Sequence, residues 1–175
     1  YTTKNARSNK MAVPVHLFLT NDGGTMICGS CDVAHREGSI ELRGLQHNLS
    51  LPTDSATGKV TGTRLHSPFQ FTKELDSSSP YLFKAAATGQ TLKTAEFRFY
   101  HINYSGQEEE YYRITLENVK VISVSPVMYD TRGCPGTGHM EEVAFNYEKI
   151  THLYKNGNLL AHDAWNERPT SGPAS

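Results

Sequence analysis

A period-two alternation of apolar and polar residues recurs along most of this chain and constrains its fold more than any other feature. The alternation is clearest in TLKTAEFRFYHI (91–102) and YYRITLENVKVISVSPV (111–127). Side chains that alternate in this way point to opposite faces of a β-strand, so one face is expected to pack on a core. The residues predicted to face the core are Leu92, Ala95, Phe97, Phe99, Tyr112, Ile114, Leu116, Val119 and Val121.

Further alternating segments are separated by turn signals. They lie at 13–20, 39–51, 67–75 and 141–156. The sequence Asn-Asp-Gly-Gly at 21–24 predicts a turn after the first of them, and Asn156-Gly157 predicts a tight hairpin turn after the last. The chain is therefore expected to be rich in antiparallel strands.

The segment 39–51 is followed by a long polar stretch. Gly44 breaks the phase of the alternation and predicts a bulge, after which Leu45, His47, Leu49 and Leu51 are expected to continue the strand. Residues 52–63, PTDSATGKVTGT, contain almost no large apolar side chain. They are expected to form an exposed, mobile loop.

One segment predicts a short helix. In DSSSPYLFKAAATGQ (76–90), Ser79 is the expected N-cap, Pro80 the first helical residue and Gly89 the C-cap. The helix is expected at about residues 79–88. Together with the strands it predicts a mainly β domain, either a barrel or a sandwich, with one helix laid across it.

Length and charge narrow the classes of protein further. A chain of 175 residues is long enough for one well-buried domain and short for two. We interpret residues 1–10 as a tag or disordered extension, 11–166 as the folded domain and 167–175 as a disordered tail. The formal net charge is −1, which gives no electrostatic case for binding nucleic acid. No apolar run is long enough to span a bilayer, so no membrane insertion is expected.

The pair Cys28 and Cys31, in ICGSCDVAH (27–35), raises the question of a metal or redox site. A structural zinc site needs four ligands. Besides the two cysteines the chain offers His35 and the distant Cys134, but no second pair of ligands stands at a suitable spacing. A redox pair needs a helix beginning at its first cysteine, and none is predicted there. We expect all three thiols to be reduced and metal-free, with no cofactor.

Three other segments could suggest chemistry, and each has a plainer interpretation. The glycine-rich 132–139 precedes a strand rather than a helix, so it does not predict a phosphate-binding loop. His139 with Glu141 and Glu142 is interpreted as a solvated junction between loop and strand, and the acidic run at 107–112 as a solvated hairpin tip. No catalytic residue is assigned.

Several motifs in order carry a resemblance to a known family. They are MAVPVHLFLTNDGG, GSCDVAHREGSIEL, TGKVTGTRLHSPFQFTKELDSSSPYLFKAAATGQTLKTAEFRFY, YYRITLENVKVISVSP and YEKITHLYKNGNLLAHDAWN. Together, from Met11 to Asn166, they resemble the Hcp family, the haemolysin-coregulated proteins of the bacterial type VI secretion system. The resemblance implies a small β-barrel of two antiparallel sheets with one flanking helix.

The resemblance also implies a structural rather than an enzymatic function, and a set of partners. Subunits would form a homo-hexameric ring, and rings would stack into a hollow tube that carries effector proteins in its lumen. The tube would lie inside a contractile sheath on a baseplate, with a VgrG-type spike at its tip. The protein would reside in the bacterial cytoplasm before firing and then be secreted without a signal peptide.

Two segments are candidates for the contacts of such an assembly. The ring-stacking candidate is the polar loop, with residues Thr53, Asp54, Ser55, Thr57, Lys59, Val60 and Thr61. The lateral candidate is the helix, where Tyr81, Leu82 and Phe83 are consecutive and therefore cannot all face one core. At least one of the three is expected to be exposed in an isolated subunit. The alternative function is a standalone β-sandwich module that binds carbohydrate or peptide.

Overall fold

The computed structural model describes residues 13–133, 136 and 138–165. The predictions for residues 1–10, for the tail at 167–175 and for Cys134 fall outside these residues. The elements in chain order are β1 (His16–Thr20), β2 (Met26–Ile27), β3 (Ile40–Gln46), β4 (Leu49–Ser50), β5 (Leu65–His66), β6 (Phe69–Glu74), α1 (Ser79–Thr88), β7 (Thr91–Ile102), β8 (Glu108–Val127), β9 (Met140–Asn146), β10 (Lys149–Tyr154) and β11 (Leu159–Ala164).

Six antiparallel strands close into a barrel in the order β8-β7-β1-β3-β6-β9, with β9 pairing back onto β8. The length of β8 makes this closure possible. One of its edges pairs with β10 over residues 112–117 and with β9 over residues 120–127. Strands β10 and β11 extend the sheet beyond the barrel, and β4 and β5 form a separate two-stranded sheet. The mainly β barrel with one helix is thus confirmed.

The barrel interior is filled by the side chains that the alternation places on the inner faces. Phe69 and Phe97 lie with ring centroids 4.3 Å apart, and Phe71 packs edge-on against Phe145 at 4.9 Å. Of the predicted inward residues on β7 and β8, Phe99 and Tyr112 are half-buried at one end, and the others are buried. The bulge at Gly44 is confirmed by a shift of register between β3 and β6.

The helix lies where the sequence predicts it, with one correction at its start. The N-cap is Ser78 rather than Ser79, and the carbonyl of Ser78 accepts the first helical hydrogen bond from the amide of Leu82 at 3.0 Å. The Ser79 hydroxyl is instead engaged by side chains of the barrel. Gly89 ends the helix in the left-handed conformation, with φ of 69°, as predicted.

Strand β3 is shorter than the alternation suggests. It ends at Gln46, and the prediction that Leu49 and Leu51 continue it is wrong: both side chains are exposed, by 50% and 53%. The chain leaves the barrel after Gln46, and Leu49 pairs with His66 of β5 instead of with a barrel strand. The alternation therefore does not extend β3: Leu49 belongs to a second small sheet, Leu51 follows that sheet, and both side chains are exposed.

Two acidic segments interpreted as solvated are largely exposed, but each contains one glutamate with a structural role. The tip of the β7–β8 hairpin is at 103–107, so Glu108, Glu109 and Glu110 belong to β8 rather than to the tip. Glu110 pairs with Arg113 at 2.7 Å and with Lys155 at 3.1 Å. In the second segment, Glu141 is buried, so the interpretation of 138–142 as a solvated junction is wrong for that residue.

Candidate functional site

The loop that carries Cys28 and Cys31 is a closed structural element. The amide of Gly29 donates to the carbonyl of Gly38 at 2.8 Å, and the amide of Gly38 donates to the carbonyl of Cys31 at 2.9 Å. No helix begins in this loop, and the Cys28 side chain is exposed. Within the described part of the chain, no three His, Cys, Asp or Glu side chains are grouped so that they could hold a metal ion.

A buried histidine fastens this loop to the barrel. Arg36 lies 3.2 Å from Nε2 of His16, and because the guanidinium is always a donor, Nε2 is unprotonated. The ring proton is then on Nδ1, which donates to the Ser39 hydroxyl at 3.0 Å. Arg36 also pairs with Glu108 and stacks on the ring of Tyr100 at 4.0 Å. These contacts require a neutral His16.

Acid is therefore expected to destabilise the fold through His16. Burial, together with the positive charge of Arg36, lowers the pKa of His16 from 6.5 to about 4, although Glu108 opposes this. Because the unfolded chain takes up the proton at higher pH, the contribution is complete above pH 6.5 and is lost as the pH falls towards 4. The loss is about 3 kcal/mol. Urea unfolding at several pH values should show it, and His16→Asn should flatten the slope; an unchanged slope would contradict the assignment.

The helix presents one large apolar side chain to solvent. Leu82 is fully buried, Tyr81 is half-buried with its hydroxyl 3.3 Å from Nδ2 of Asn21, and Phe83 is 67% exposed. The prediction that at least one of these three is exposed in a single subunit is confirmed. Whether a neighbouring subunit covers Phe83 stays a prediction.

A buried ion pair, missed by the sequence reasoning, sets the position of the helix. Lys73, on the inner face of β6, lies 2.6 Å from the carboxylate of Glu141 and 3.2 Å from that of Asp76. The Ser79 hydroxyl lies 2.9 Å from the Lys73 amine and donates to Glu141 at 2.8 Å. The only signal in the sequence was that Lys73 shares the phase of Phe69 and Phe71. The first turn of α1 is therefore tied to two barrel strands.

The candidate stacking loop is exposed and locally ordered. Thr53 and Val60 form an isolated antiparallel bridge, and the amide of Asp54 donates to the carbonyl of Lys59 at 2.7 Å. Backbone hydrogen bonds, chiefly from Ala56, hold the pKa of the Asp54 carboxyl below its usual value. All seven candidate residues are exposed except Asp54, which is half-buried. The loop thus has a defined shape without a core of its own.

The loop and the small sheet beneath it form one projecting unit, residues 47–66, which we call the extension. Its exposed apolar side chains are Leu49, Leu51, Val60 and Leu65, each at least half exposed. The polar composition of residues 52–63 gave no indication of this apolar surface, because Leu49, Leu51 and Leu65 lie on either side of that segment. The extension is therefore a second surface, distinct from the helix, that presents apolar groups to solvent.

The described residues form open concave surfaces as well as exposed apolar ones. One concave surface lies on the sheet around Gln70, Thr72 and Glu142, and another lies around Lys120, Tyr147 and Trp165. Among the described residues, no helix combines the length and hydrophobicity required to cross a bilayer. The two features that stand out are an exposed aromatic residue on α1 and an apolar extension.

Comparison with known proteins agrees with this description. Residues 18–154 match the family model described as "Type VI secretion system effector, Hcp". The chain is 29% identical over 174 residues to the "Major exported protein" of Pseudomonas aeruginosa, covering 93% of this chain and 100% of that protein. It is 58% identical to a doubly substituted Hcp1 from the E. coli EAEC 042 pathovar, with a TM-score of 0.81 over 88% of this chain and 99% of that one. The secreted protein Hcp3 of Pseudomonas aeruginosa, at 23% identity, has the same fold, with a TM-score of 0.72 over 90% of this chain and 100% of that one.

Proposed function

Because the chain belongs to the Hcp family of the type VI secretion system, we propose that it is the structural subunit of the inner tube of that system. Subunits close into a hexameric ring, rings stack into a hollow tube, and the tube carries or chaperones effector proteins and is itself exported. The role is mechanical rather than enzymatic. The observation that carries the proposal is the family match over a barrel that presents two separate apolar surfaces.

Ring closure requires a head-to-tail contact, in which one surface of a subunit meets a different surface of the next. Phe83 supports a lateral contact on the helix because its ring is 67% exposed. Covering a side chain of this size contributes about 1.5–3 kcal/mol. The ion pair of Lys73 with Glu141 fixes the direction in which α1 presents that ring.

Stacking requires a second, axial contact, and the extension is the segment we assign to it. An irregular loop would lose about 1–2 kcal/mol of conformational free energy per residue on docking. Here the bridge of Thr53 with Val60 already holds the loop, so that loss is smaller. A single contact through side chains such as Leu49 and Val60 is weak, but six act together because the first raises the effective concentration of the others.

The remaining partners follow from the same role. A VgrG-type spike would cap the tube, a contractile sheath on a baseplate would surround it, and effectors would occupy its lumen. The subunit would be made in the bacterial cytoplasm and leave the cell when the sheath contracts. No nucleic acid, metal or cofactor has a part in this function.

Replacing Phe83 with glutamate is expected to weaken the ring, because it places a charge in an apolar contact. We expect the population to shift from hexamer to monomer at micromolar concentration, measured by light scattering after size exclusion. The matched control is Tyr104→Glu, which changes an aromatic residue that is 97% exposed at the tip of the β7–β8 hairpin. If both variants stay hexameric, the helix is not the lateral contact. If the unaltered protein is a monomer, the standalone β-sandwich binding module is favoured instead.

A further inference from the structure

The extension is fastened to the barrel by a row of hydrogen-bonded side chains, which we call the pin. Nε2 of His47 and Nδ1 of His66 each lie 2.7 Å from the hydroxyl of Tyr147. Nε2 of His66 lies 2.7 Å from the carboxylate of Asp163 on β11. The two histidines bracket the extension at its first and last residues, and Tyr147 lies at the junction of β9 and β10.

The proton positions along the pin follow from the donors and acceptors available. Asp163 also pairs with Arg64, so it is an acceptor and His66 donates to it from Nε2. Nδ1 of His66 is then free to accept the Tyr147 proton, and the Tyr147 oxygen accepts from Nε2 of His47. Each of the three hydrogen bonds in the row has one donor and one acceptor when both histidines are neutral.

The pin has room for one extra proton but not for two. If His66 gains a proton at Nδ1, Tyr147 reverses its hydroxyl and donates to His47, which moves its own proton to Nδ1. If both histidines are protonated, both ring N–H groups point at the same oxygen, and the Tyr147 proton loses its acceptor. Two positive charges then face each other across one hydroxyl.

Water has little access to His66 and Tyr147, so it cannot readily hydrate the two positive charges. The side chain of His66 is 3% exposed, and Tyr147 is 4% exposed. His47 stacks on Phe69 with centroids 5.2 Å apart, and Trp165 covers both His66 at 5.8 Å and Tyr147 at 6.1 Å. The lowest-cost response to double protonation is for the base of the extension to open between His47 and His66 and for the extension to detach, because its apolar side chains are exposed rather than packed in a core. Detachment also breaks the contacts of Arg64 with Asp163 and with the carbonyl of Ala164.

We propose that the pin is a protonation-sensitive latch, which holds the extension in position at neutral pH and releases it when both histidines are protonated. The barrel stays folded during release. In the assembled tube, which rests on the proposed function, release would separate stacked rings while each ring stays closed.

The charged groups around the pin act differently on its two ends: the carboxylate of Asp163 favours positive charge on His66, whereas neighbouring histidines disfavour it on His47. Burial, then the charges of His152 on β10 and of His66, lower the pKa of His47. Burial alone would raise the pKa of Asp163, but hydrogen bonds from Arg64 and His66 lower it, so this acceptor stays ionised in mildly acidic solution. Burial raises the pKa of Tyr147 to about 12, so its hydroxyl stays protonated. Because the pKa of His47 is lowered in the latched state and returns towards its ordinary value of 6.5 on release, release takes up a proton and is favoured as the pH falls below 6.5.

Hydrogen exchange of the full chain tests the latch without any need for stacking. The reporters are the amides of Asn48 and Ser67, which donate to the Ser67 hydroxyl and the Asn48 carbonyl at the base of the extension. Their protection factors, corrected for intrinsic exchange, should fall at least tenfold between pH 7.5 and 5.0, while the amides of β7 and β8 stay protected. An equal fall in the barrel would show general unfolding and overturn the proposal, and so would no fall at the reporters.

A pair of variants separates the pin from general effects of acid. Tyr147→Phe removes the shared hydroxyl and keeps the ring, so the reporters should be weakly protected at both pH values. Tyr112→Phe removes a hydroxyl that also lies 2.7 Å from a histidine, His152, but outside the extension. It should behave like the unaltered protein. A tenfold fall of protection that persists in Tyr147→Phe would overturn the latch.

Sedimentation of stacked rings at both pH values then tests the proposed function separately from the latch. If the reporters respond to pH and stacks dissociate below pH 6.5 in parallel, both the latch and the assignment of the extension are supported. If the reporters respond but stacks persist, the latch holds and the extension is not the axial contact. If stacks dissociate while the reporters stay protected, the latch is excluded and another group controls stacking.

Discussion

Replacing Lys73 with methionine is expected to lower the free energy of unfolding by about 3–5 kcal/mol, since removal of one partner leaves a buried charge uncompensated. The carboxylate of Glu141 is almost fully buried, and that of Asp76 is 7% exposed. Without the amine at 2.6 Å, both must be desolvated beside each other or take up a proton. Urea unfolding at one fixed protein concentration measures the loss, because any assembly also contributes to apparent stability.

An exposed ion pair that also involves strand β6 provides the matched control. Arg43 on β3 lies 2.8 Å from Glu74 on β6, and both side chains are about half exposed. Arg43→Met is therefore expected to cost less than about 1 kcal/mol. The double variant Lys73→Met with Glu141→Leu should recover part of the loss, because it removes both ends of the buried pair. Equal stability of the Lys73→Met and Arg43→Met variants would show that the buried pair does not hold α1 in place.

Deleting residues 55–61 and bridging the gap with Gly-Ser is expected to leave the barrel and the ring intact but to abolish stacking and, with it, secretion. Every residue in this range is exposed, and the turn that the amide of Asp54 closes with the carbonyl of Lys59 is removed with it. The deletion therefore removes an outer turn and no core residue. Circular dichroism measures whether the barrel is folded, light scattering measures the mass of the ring, and electron microscopy shows whether rings stack.

A smaller change provides the control for the deletion. Replacing residues 104–106 of the β7–β8 hairpin with glycines alters another exposed turn, which is closed by the amide of Asn103 and the carbonyl of Gln107 at 2.8 Å. Stacking should survive that replacement. Loss of the ring in the deletion variant, or normal stacking and export without residues 55–61, would place the axial contact elsewhere.

The sequence was sufficient for features that depend on local rules. Alternation identified the inner faces of β7 and β8, Gly44 identified the bulge, and Gly89 identified the end of the helix. Each depends on the conformational preference or spacing of residues that are neighbours in the chain. The family resemblance supplied the closed barrel, since alternation alone does not distinguish a barrel from a sandwich.

The features that were missed depend on partners far apart in the chain. Lys73 and Glu141 are each unremarkable in sequence, and burial becomes tolerable only because β6 and β9 place them side by side. The same holds for Tyr147 and the two histidines of the pin. Alternation predicts that Leu49 and Leu51 continue β3, and this is wrong because alternation indicates that a strand exists but not which strand it pairs with.

Native mass spectrometry combined with electron microscopy of the purified protein at neutral pH tests the central claim most directly. The tube-subunit proposal predicts a mass of six chains, images of closed rings, and rings that pile into hollow tubes at high concentration. A monomer at all concentrations, without rings, would contradict it.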